Sequence, residues 1–121
     1  MRTVYTVAFL GNGFLMAFNP KRNGWEMPGG KVNENENVTD AAEREYLEES
    51  GHAIDIVSTE EMNGCHVCAA FLGEKKAEGE FVTAVFTELP DDLAFGRSEY
   101  DGVLEWAASA VKGRRNGNIV R

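Results

Sequence analysis

The stretch GGKVNENENVTDAAEREYLEESG, from Gly29 to Gly51, joins a glycine pair to a predicted helix rich in acidic side chains. Asn37 is a favourable N-cap, and Asp40 lies three positions later, where its charge suits the positive end of a helix. Gly51 stands where a helix C-terminus favours left-handed backbone geometry. We therefore predict a helix of about four turns that begins near Val38.

Three glutamates of this helix share one face, because Glu45, Glu48 and Glu49 are separated by three and four residues. At 100° per residue they span an arc of about 100°. The same arc carries small apolar residues: Val38, Ala41 and Ala42. The opposite side carries polar residues: Thr39, Asp40, Glu43 and Ser50. We expect the glutamates to lie on the side of the helix that approaches a sheet.

Such a cluster of carboxylates requires a counterion if it is not fully solvated. Like charges four residues apart repel, and carboxylates are seldom buried unless they are paired or bind metal. Arg44 lies four residues before Glu48 and can pair with it, but one arginine does not neutralise three glutamates. Hard divalent cations take oxygen ligands, so the pattern favours an Mg²⁺ site, with Mn²⁺ as a substitute. The alternative is a solvated, glutamate-rich helix face.

The glycine pair supplies a second argument for a binding site. Gly29 and Gly30 permit close backbone approach and positive φ, so a Gly-Gly turn could place a carbonyl and an amide beside the metal. Lys31 follows directly and is a candidate phosphate contact. The alternative is an ordinary turn.

Outward from this stretch, the chain alternates short apolar runs with turn signals, which predicts strands. The predicted strands cover residues 3–10, 14–18, 25–27, 53–57, 67–72 and 81–89. The first two form a hairpin about Gly11–Gly13, and a charged, hairpin-like segment, Gly73–Gly79, separates the last two. A second helix is predicted over residues 99–112, ended by Gly113 and followed by a frayed basic tail at 114–121. We expect one α/β domain over residues 1–121, a mixed sheet with helices packed on it.

Composition limits the partners. The 121 residues include 12 Lys and Arg against 20 Asp and Glu, a net charge of −8, which argues against binding a nucleic-acid polymer. A small anionic substrate remains compatible with this charge if metal ions supply the positive charge. No apolar run reaches the roughly 20 residues of a membrane helix, and the N-terminus lacks the apolar core of a signal peptide. We expect a soluble, cytoplasmic protein that does not bind membranes.

The two cysteines are Cys65 and Cys68. Half of a zinc site with His52 and His66, or a redox pair, would be the functional interpretation. In a strand, residues three apart point to opposite faces, which suits neither a shared metal nor a disulfide. We therefore predict two unpaired cysteines on a strand.

The central stretch resembles the signature box of the Nudix hydrolases. The resemblance rests on Gly30, five residues, Glu36, seven residues, and then the run Arg44-Glu45-x-x-Glu48-Glu49-x-Gly51. Two positions depart from the pattern, because Tyr46 and His52 stand where the family has aliphatic residues. These two are packing positions and do not belong to the chemistry.

The resemblance implies an α/β/α sandwich with a mixed β-sheet that hydrolyses a nucleoside diphosphate linked to another group. It implies that Glu45, Glu48 and Glu49 are metal ligands, joined by the carbonyl of Gly30. Arg44 resembles the residue that orients the glutamates by ion pairing. The family's supporting acidic residue before the helix corresponds to Glu36.

The general base differs among members of the family, being either a glutamate of the box or an acidic residue on a later loop. Glu45 is the candidate within the box. Glu78 and Glu80, before the last strand, are the later candidates, and the alternative for each is a solvated loop charge. The sequence leaves this choice open.

The substrate is less well specified. The opening run to Gly30 and the segment 86–93 are similar to a bacterial branch that includes nucleoside-triphosphate and 8-oxo-purine-nucleotide diphosphatases. Trp25 could stack on a base, although aromatic residues in strands are more often core residues. We expect a small nucleotide substrate, first a nucleoside triphosphate, with a normal or an oxidised base, cleaved to monophosphate and diphosphate. The alternatives are a nucleotide sugar or an ADP-ribose-like dinucleotide, or a non-catalytic nucleotide sensor; the protein could be a monomer or a homodimer.

Overall fold

A computed structural model describes the backbone of residues 2–120 and the side chains of residues 2–114. Seven strands and two helices follow one another along this part of the chain. In order they are β1 (Thr3–Leu10), β2 (Gly13–Asn19), β3 (Gly24–Glu26), β4 (Gly29–Lys31), α1 (Val38–Ser50), β5 (His52–Met62), β6 (Cys65–Lys75), β7 (Val82–Phe86) and α2 (Ser98–Val120).

The strands form one mixed sheet around β1. Strand β1 runs parallel to β6 on one side and antiparallel to β2 and β4 on the other. Strand β3 and strand β7 each pair antiparallel with β2, and β5 pairs antiparallel with β6 at the far edge. The parallel pair requires a long crossover, and α1 lies within that crossover.

The two helices cover opposite faces of the sheet, because successive side chains of a strand point to opposite sides. From β1, Val4 and Ala8 pack in the cores beneath α1. Val7, from the other face of the same strand, packs in the core beneath α2 with Val103 and Ala107. The predicted α/β/α sandwich with a mixed sheet is therefore confirmed.

Not every predicted connection is correct. The segment predicted to be a hairpin, Gly73–Gly79, does not form one, because β7 pairs with β2 and not with β6. The hairpin in this region instead joins β5 to β6 at Asn63 and Gly64, which both have positive φ. An Asn-Gly pair is the strongest short-range hairpin signal, so this turn was predictable and was missed.

The second helix is longer than predicted. It continues through Gly113 to Val120, so the prediction that Gly113 ends the helix is wrong. A glycine inside a helix lowers its stability by up to about 1 kcal/mol but does not by itself terminate it. The backbone of the predicted frayed tail is helical as far as Val120, whereas its side chains beyond Arg114 lie outside the described residues.

The two cysteines are free, as predicted, and both lie on β6. The Cys65 sulfur lies 3.1 Å from the Thr3 hydroxyl, and the Cys68 sulfur lies 3.6 Å from the Thr59 hydroxyl. Among the described residues, no helix is long and apolar enough to span a bilayer.

We predict opposite effects of alanine at Gly51 and Gly102. Gly51 has φ of 80°, and a Cβ there would overlap the carbonyl of Ala77, so Gly51→Ala should lower the free energy of unfolding by at least about 1–2 kcal/mol. Gly102 lies inside α2, and a methyl group added there would have nothing within 4 Å, so Gly102→Ala should raise it by about 0.5–1 kcal/mol. Urea denaturation measures both, and a shift of the same sign in the two variants would contradict this.

Candidate active site

Local hydrogen bonds fix both ends of α1. The side chain of Asn37 accepts a hydrogen bond from the amide of Asp40 at 2.8 Å. At the other end, Gly51 is left-handed and donates its amide to the carbonyl of Leu47 at 2.9 Å. The predicted N-cap and C-terminal glycine are confirmed, so both limits of the helix are fixed by residues close in the sequence.

The glutamates do not all face the sheet. The buried residues of α1 are Ala41, Ala42, Tyr46 and Ser50. Compared with the predicted arc of Val38, Ala41 and Ala42, the buried face of α1 is therefore rotated toward Tyr46. Ser50 also lies on this buried face, contrary to the prediction. Glu45 keeps only 16% of its side chain exposed, whereas 55% of the Glu48 side chain is exposed. The prediction that three carboxylates face inward is wrong for Glu48.

Tyr46 explains this rotation. Its side chain is completely buried in a core made with Ala8, Leu15, Ile54 and Ala70. The two alanines leave room for a ring at a position where the family has aliphatic residues. The other departure, His52, lies on β5 with its Nδ1 3.0 Å from the carbonyl of Gly73.

The glycine pair is part of the sheet. Gly29 and Gly30 belong to β4 and pair with Tyr5 and Val4 of β1, and neither has positive φ, so the predicted Gly-Gly turn is wrong. The predicted close approach is nevertheless present. A Cβ at Gly30 would overlap the carboxylate of Glu45, so the missing side chain creates a cradle that this carboxylate fills.

The amide of Gly29 reaches a second glutamate of the helix. It donates a hydrogen bond to Glu49 Oε1 at 3.0 Å. Strand β4 therefore contacts two of the three box glutamates through backbone atoms alone. This arrangement brings the peptide groups of the glycine pair beside the carboxylates, as the predicted metal site requires.

Arg44 organises the opposite side of the carboxylate cluster. Its guanidinium donates to both oxygens of Glu36 at 2.9 Å, to Glu45 Oε1 at 2.7 Å and to the Lys31 carbonyl at 2.9 Å. Glu48 lies farther away, at 3.7 Å. The hydrogen bonds from Arg44 lower the pKa of Glu36 to about 2, and those to Glu36 and Glu45 raise the pKa of Arg44. Glu36 thus supports Arg44, which in turn orients Glu45.

Glu49 lacks such compensation. Burial raises the pKa of Glu49 to about 7, the Gly29 amide lowers it only partly, and the charges of Glu26, Glu45 and Glu80 raise it further. A bound cation would stabilise the ionised form of Glu49, because its positive charge offsets the cost of burying the carboxylate.

The donor set fits a hard divalent cation. Carboxylate oxygens and a backbone carbonyl are the ligands that Mg²⁺ and Mn²⁺ prefer, and strand β4 lies against the carboxylates of both Glu45 and Glu49. As positioned, no three His, Cys, Asp or Glu side chains among the described residues surround a single point. Glu48 would have to turn inward to complete the set.

The two later acidic candidates occupy different environments. Glu78 is 93% exposed and lies 3.6 Å from the amine of Lys75. Glu80 donates its backbone amide to the Glu48 carbonyl at 2.9 Å, and its charge reaches Glu49. The structure brings Glu80 to the carboxylate cluster and leaves Glu78 in solvent.

A cavity of about 550 Å³ opens beside Glu45 and Glu49. Its other polar and aromatic lining residues include Tyr5, Asn19, Arg22, Glu26, Phe95, Glu99 and Tyr100. Neither Trp25 nor Lys31 lines it. The ring of Trp25 packs edge-on against Phe18 and Phe86, and the Lys31 side chain is exposed.

Glu26 and Arg22 were not predicted to be cavity residues. The sequence contained one signal, because a separation of four residues between Arg22 and Glu26 suits an ion pair. This spacing alone does not reveal that the pair faces a cavity.

Fold and site together define a sandwich in which glutamates of α1 and the glycines of β4 line one cavity. The chain matches the NUDIX domain over residues 1–110, and it belongs to that family.

Individual relatives agree with this assignment. Over 31 residues the chain is 58% identical to an 8-oxo-dGTP diphosphatase of Buchnera aphidicola, a match covering 26% of this chain and 25% of that protein. A NUDIX hydrolase of Nitrosomonas europaea superposes with a TM-score of 0.69 at 23% identity, over 92% of this chain and 72% of the other. A pyrophosphohydrolase mutant of Bacillus subtilis gives a TM-score of 0.66 at 25% identity, over 93% and 82%.

We predict that Glu49→Gln changes the pH dependence of stability in metal-free protein. The unfolded chain loses the Glu49 proton near pH 4.5 and the folded chain near pH 7, so ionisation disfavours the fold as pH rises through this range. The variant does not ionise. It should be more stable than the parent by about 1–2 kcal/mol at pH 8.5, allowing for solvent screening, with a much smaller difference at pH 4.5.

Denaturation in EDTA at the two pH values measures this difference. The exposed Glu74→Gln variant serves as the matched control and should follow the parent at both. A Glu49→Gln variant less stable than the parent at pH 8.5 would contradict the burial argument.

Proposed function

We propose that this protein hydrolyses nucleoside triphosphates to a nucleoside monophosphate and diphosphate, with Mg²⁺ as cofactor and Mn²⁺ as a substitute. The observation that carries the proposal is the half-buried Glu49, which has no basic partner among the described residues, beside Glu45 and the glycine strand in the lining of a cavity of about 550 Å³. The short match to an 8-oxo-dGTP diphosphatase favours a triphosphate substrate, with a normal or an oxidised base, over the alternatives.

The ligand set is proposed to consist of Glu45, Glu48 and Glu49 with the carbonyl of Gly30. A divalent ion bound there would polarise the diphosphate, offset its charge and lower the pKa of a coordinated water. Arg44, held by Glu36, fixes the direction of the Glu45 carboxylate before substrate arrives, which limits reorganisation during the reaction. An acidic protein can thereby bind an anionic substrate.

The proton of the attacking water requires an acceptor. Glu45 is held by Arg44 and is 16% exposed, so its lone pairs are committed to Arg44 and to the proposed ion. Glu80 is exposed, lies beside Glu48 and Glu49, and has a carboxylate free of the Arg44 network. We favour Glu80 as the general base, with Glu45 as the alternative within the box.

The other proposed roles follow from position. Lys31 presents its side chain at the exposed surface of β4, where it could meet a terminal phosphate, while its carbonyl holds Arg44. Trp25 would act on the substrate only indirectly, because its backbone carbonyl accepts the hydroxyl of the cavity residue Tyr100 at 3.0 Å. The predicted cytoplasmic location and the monomeric or homodimeric state stay predictions.

The deciding experiment is a hydrolysis screen with nucleoside triphosphates, ADP-ribose and a nucleotide sugar, with Mg²⁺ or with EDTA, in which all products are identified. We expect monophosphate and diphosphate from triphosphates, only with the metal. Release of a sugar phosphate and a nucleoside monophosphate would favour the nucleotide-sugar alternative. No turnover on any substrate, together with undiminished nucleotide binding in Glu48→Gln, would indicate a non-catalytic sensor.

Two variants distinguish the loss of a proposed metal ligand from the loss of a residue that supports the ligands. Glu49→Gln removes a proposed ligand and should lower kcat by more than the roughly 10–100-fold expected for loss of a supporting partner. Arg44→Lys keeps the charge but loses the bidentate contact with Glu36, so its loss should fall within that range. Equal activity of Glu49→Gln and the parent would overturn the ligand assignment.

We predict that Gly30→Ala folds but binds Mg²⁺ more weakly than the parent. Its Cβ would displace the carboxylate at the end of the Glu45 side chain from its contact with Arg44, whereas a Cβ at Gly29 would overlap the backbone of β1. Gly30→Ala should therefore keep a cooperative thermal transition and bind Mg²⁺ at least about 10-fold more weakly in calorimetric titration. Gly102→Ala is the control and should retain the parent's affinity for Mg²⁺. Unchanged Mg²⁺ affinity in Gly30→Ala would contradict the cradle.

A further inference from the structure

The loop between β6 and β7, residues 76–81, closes onto the C-terminal end of α1. The last carbonyl groups of a helix have no partner within the helix, so they require donors from elsewhere. Backbone amides of the loop supply these donors: Lys76 and Ala77 to the carbonyl of Gly51 at 2.7 and 3.2 Å, Glu80 to Glu48 at 2.9 Å, and Phe81 to Glu49 at 3.1 Å. The loop is therefore bonded to the same turn of α1 that carries two proposed metal ligands.

Gly79 makes this close contact possible. A Cβ at Gly79 would overlap the backbone carbonyl groups of Glu49 and Ser50. The φ of Gly79 is not positive, so its own backbone conformation does not require glycine. Gly51, on the helix side of the same contact, differs because its φ is 80°. Alanine at Gly79 therefore probes the contact between loop and helix alone.

The loop is the side of this contact that gives way. In α1, Tyr46 and Ser50 are both buried, and the Ser50 hydroxyl donates to the Tyr46 carbonyl at 2.7 Å. In the loop and just before it, the side chains of residues 74–78 and of Glu80 are exposed. A methyl group at Gly79 should therefore push the loop outward and move Glu80 away from the helix.

The position of Glu80 depends on this backbone contact. Glu80 follows Gly79 in the chain, and its amide is bonded to the Glu48 carbonyl at 2.9 Å. Its negative charge also acts on Glu49. Among the side chains that the structure describes, none forms a hydrogen bond or an ion pair with the Glu80 carboxylate. The backbone of the loop is therefore what holds this carboxylate beside the glutamates of α1.

We propose that Gly79 is a positioning residue, which sets the distance of Glu80 from the glutamates of α1 by allowing the loop to bond to the end of the helix. The proposal rests on the proposed function, in which Glu80 acts as the general base. A general base must lie within hydrogen-bond reach of the proton that it accepts, either directly or through one water. A displacement of about 1 Å is therefore sufficient to slow the reaction.

Hydrogen exchange in EDTA tests the contact without catalysis. In the parent, the amides of Glu80 and Phe81 should exchange slowly, because both donate to carbonyls of α1. In Gly79→Ala both should exchange at least about 10-fold faster. The Gly51 amide, which is bonded to Leu47, should keep the parent's rate. Unchanged exchange at Glu80 and Phe81 would overturn the proposal, and so would faster exchange at Gly51, because the helix end would then be the part that moves.

A double-mutant cycle with Mg²⁺ and a nucleoside triphosphate separates positioning from general damage to the fold. Glu80→Gln should lower kcat by about 10²–10⁴-fold, the usual contribution of a general base. Gly79→Ala should lower kcat at least about 10-fold with little change in KM. The double variant should be no slower than Glu80→Gln alone, because displacing a carboxylate has no effect once it has been removed. Additive losses would assign Gly79 a purely structural role and overturn the proposal.

Gly73→Ala is the matched control. A Cβ at Gly73 would lie 2.8 Å from the Ala53 carbonyl oxygen, so this variant also crowds a backbone, but Gly73 lies on β6 and outside the loop. It should keep the parent's kcat. A fully active Glu80→Gln would overturn the role of Gly79 and leave the hydrolase proposal intact, with Glu45 as the base. No turnover in the parent, with faster exchange in Gly79→Ala, would overturn only the proposed function.

Discussion

The contact between the glycine strand and the glutamates of α1 is the constraint on which the site depends. Gly30 pairs with β1 on one side and leaves no room for a Cβ against Glu45 on the other. Gly29 adds a hydrogen bond to Glu49. A short strand is thereby fixed both to the centre of the sheet and to the helix that carries the acidic residues. The peptide groups of the strand and the carboxylates are held together by packing before any ligand binds.

Electrostatics divides the carboxylates into two groups. The negative charges of Glu36 and Glu45 are offset by ion pairs with Arg44, and these ion pairs hold the three side chains in place. Glu49 is half-buried near other carboxylates and accepts a hydrogen bond from a neutral amide, so its charge destabilises the folded chain. Functional sites often retain such a cost because a ligand offsets it. Here the ligand that fits the donor set is a hard divalent cation.

The cavity beside these glutamates is itself acidic. Glu26 also lines the cavity, where it accepts hydrogen bonds from Asn19 and Arg22, and its charge acts on Glu49. An anionic group would be repelled by these carboxylates unless a bound cation lay between them. The net charge of −8 is therefore compatible with an anionic substrate only if cations supply the missing positive charge.

Local signals were sufficient to predict much of the fold. The limits of α1 follow from Asn37 and Gly51, whose hydrogen bonds involve residues three or four positions away. Strand β1 and its hairpin follow from an alternating apolar run and a glycine turn. The box spacing places Glu45 and Glu49 about one helical turn apart on one face. These features depend on neighbours in the chain, so the sequence by itself determined them, together with the family resemblance.

Features that depend on distant residues were decided by the tertiary structure. Strand β7 pairs with β2, which lies far away in the sequence, and the glycine pair joins the sheet because β1 lies beside it. Tyr46 is buried in one core with two alanines of the sheet, so the buried face of α1 includes Tyr46 and leaves Glu48 exposed. Glu26 lines the cavity, which its spacing from Arg22 alone does not reveal. Burial and strand pairing are sums over contacts between segments far apart in sequence, so only the folded chain reveals which carboxylates are buried and which are solvated.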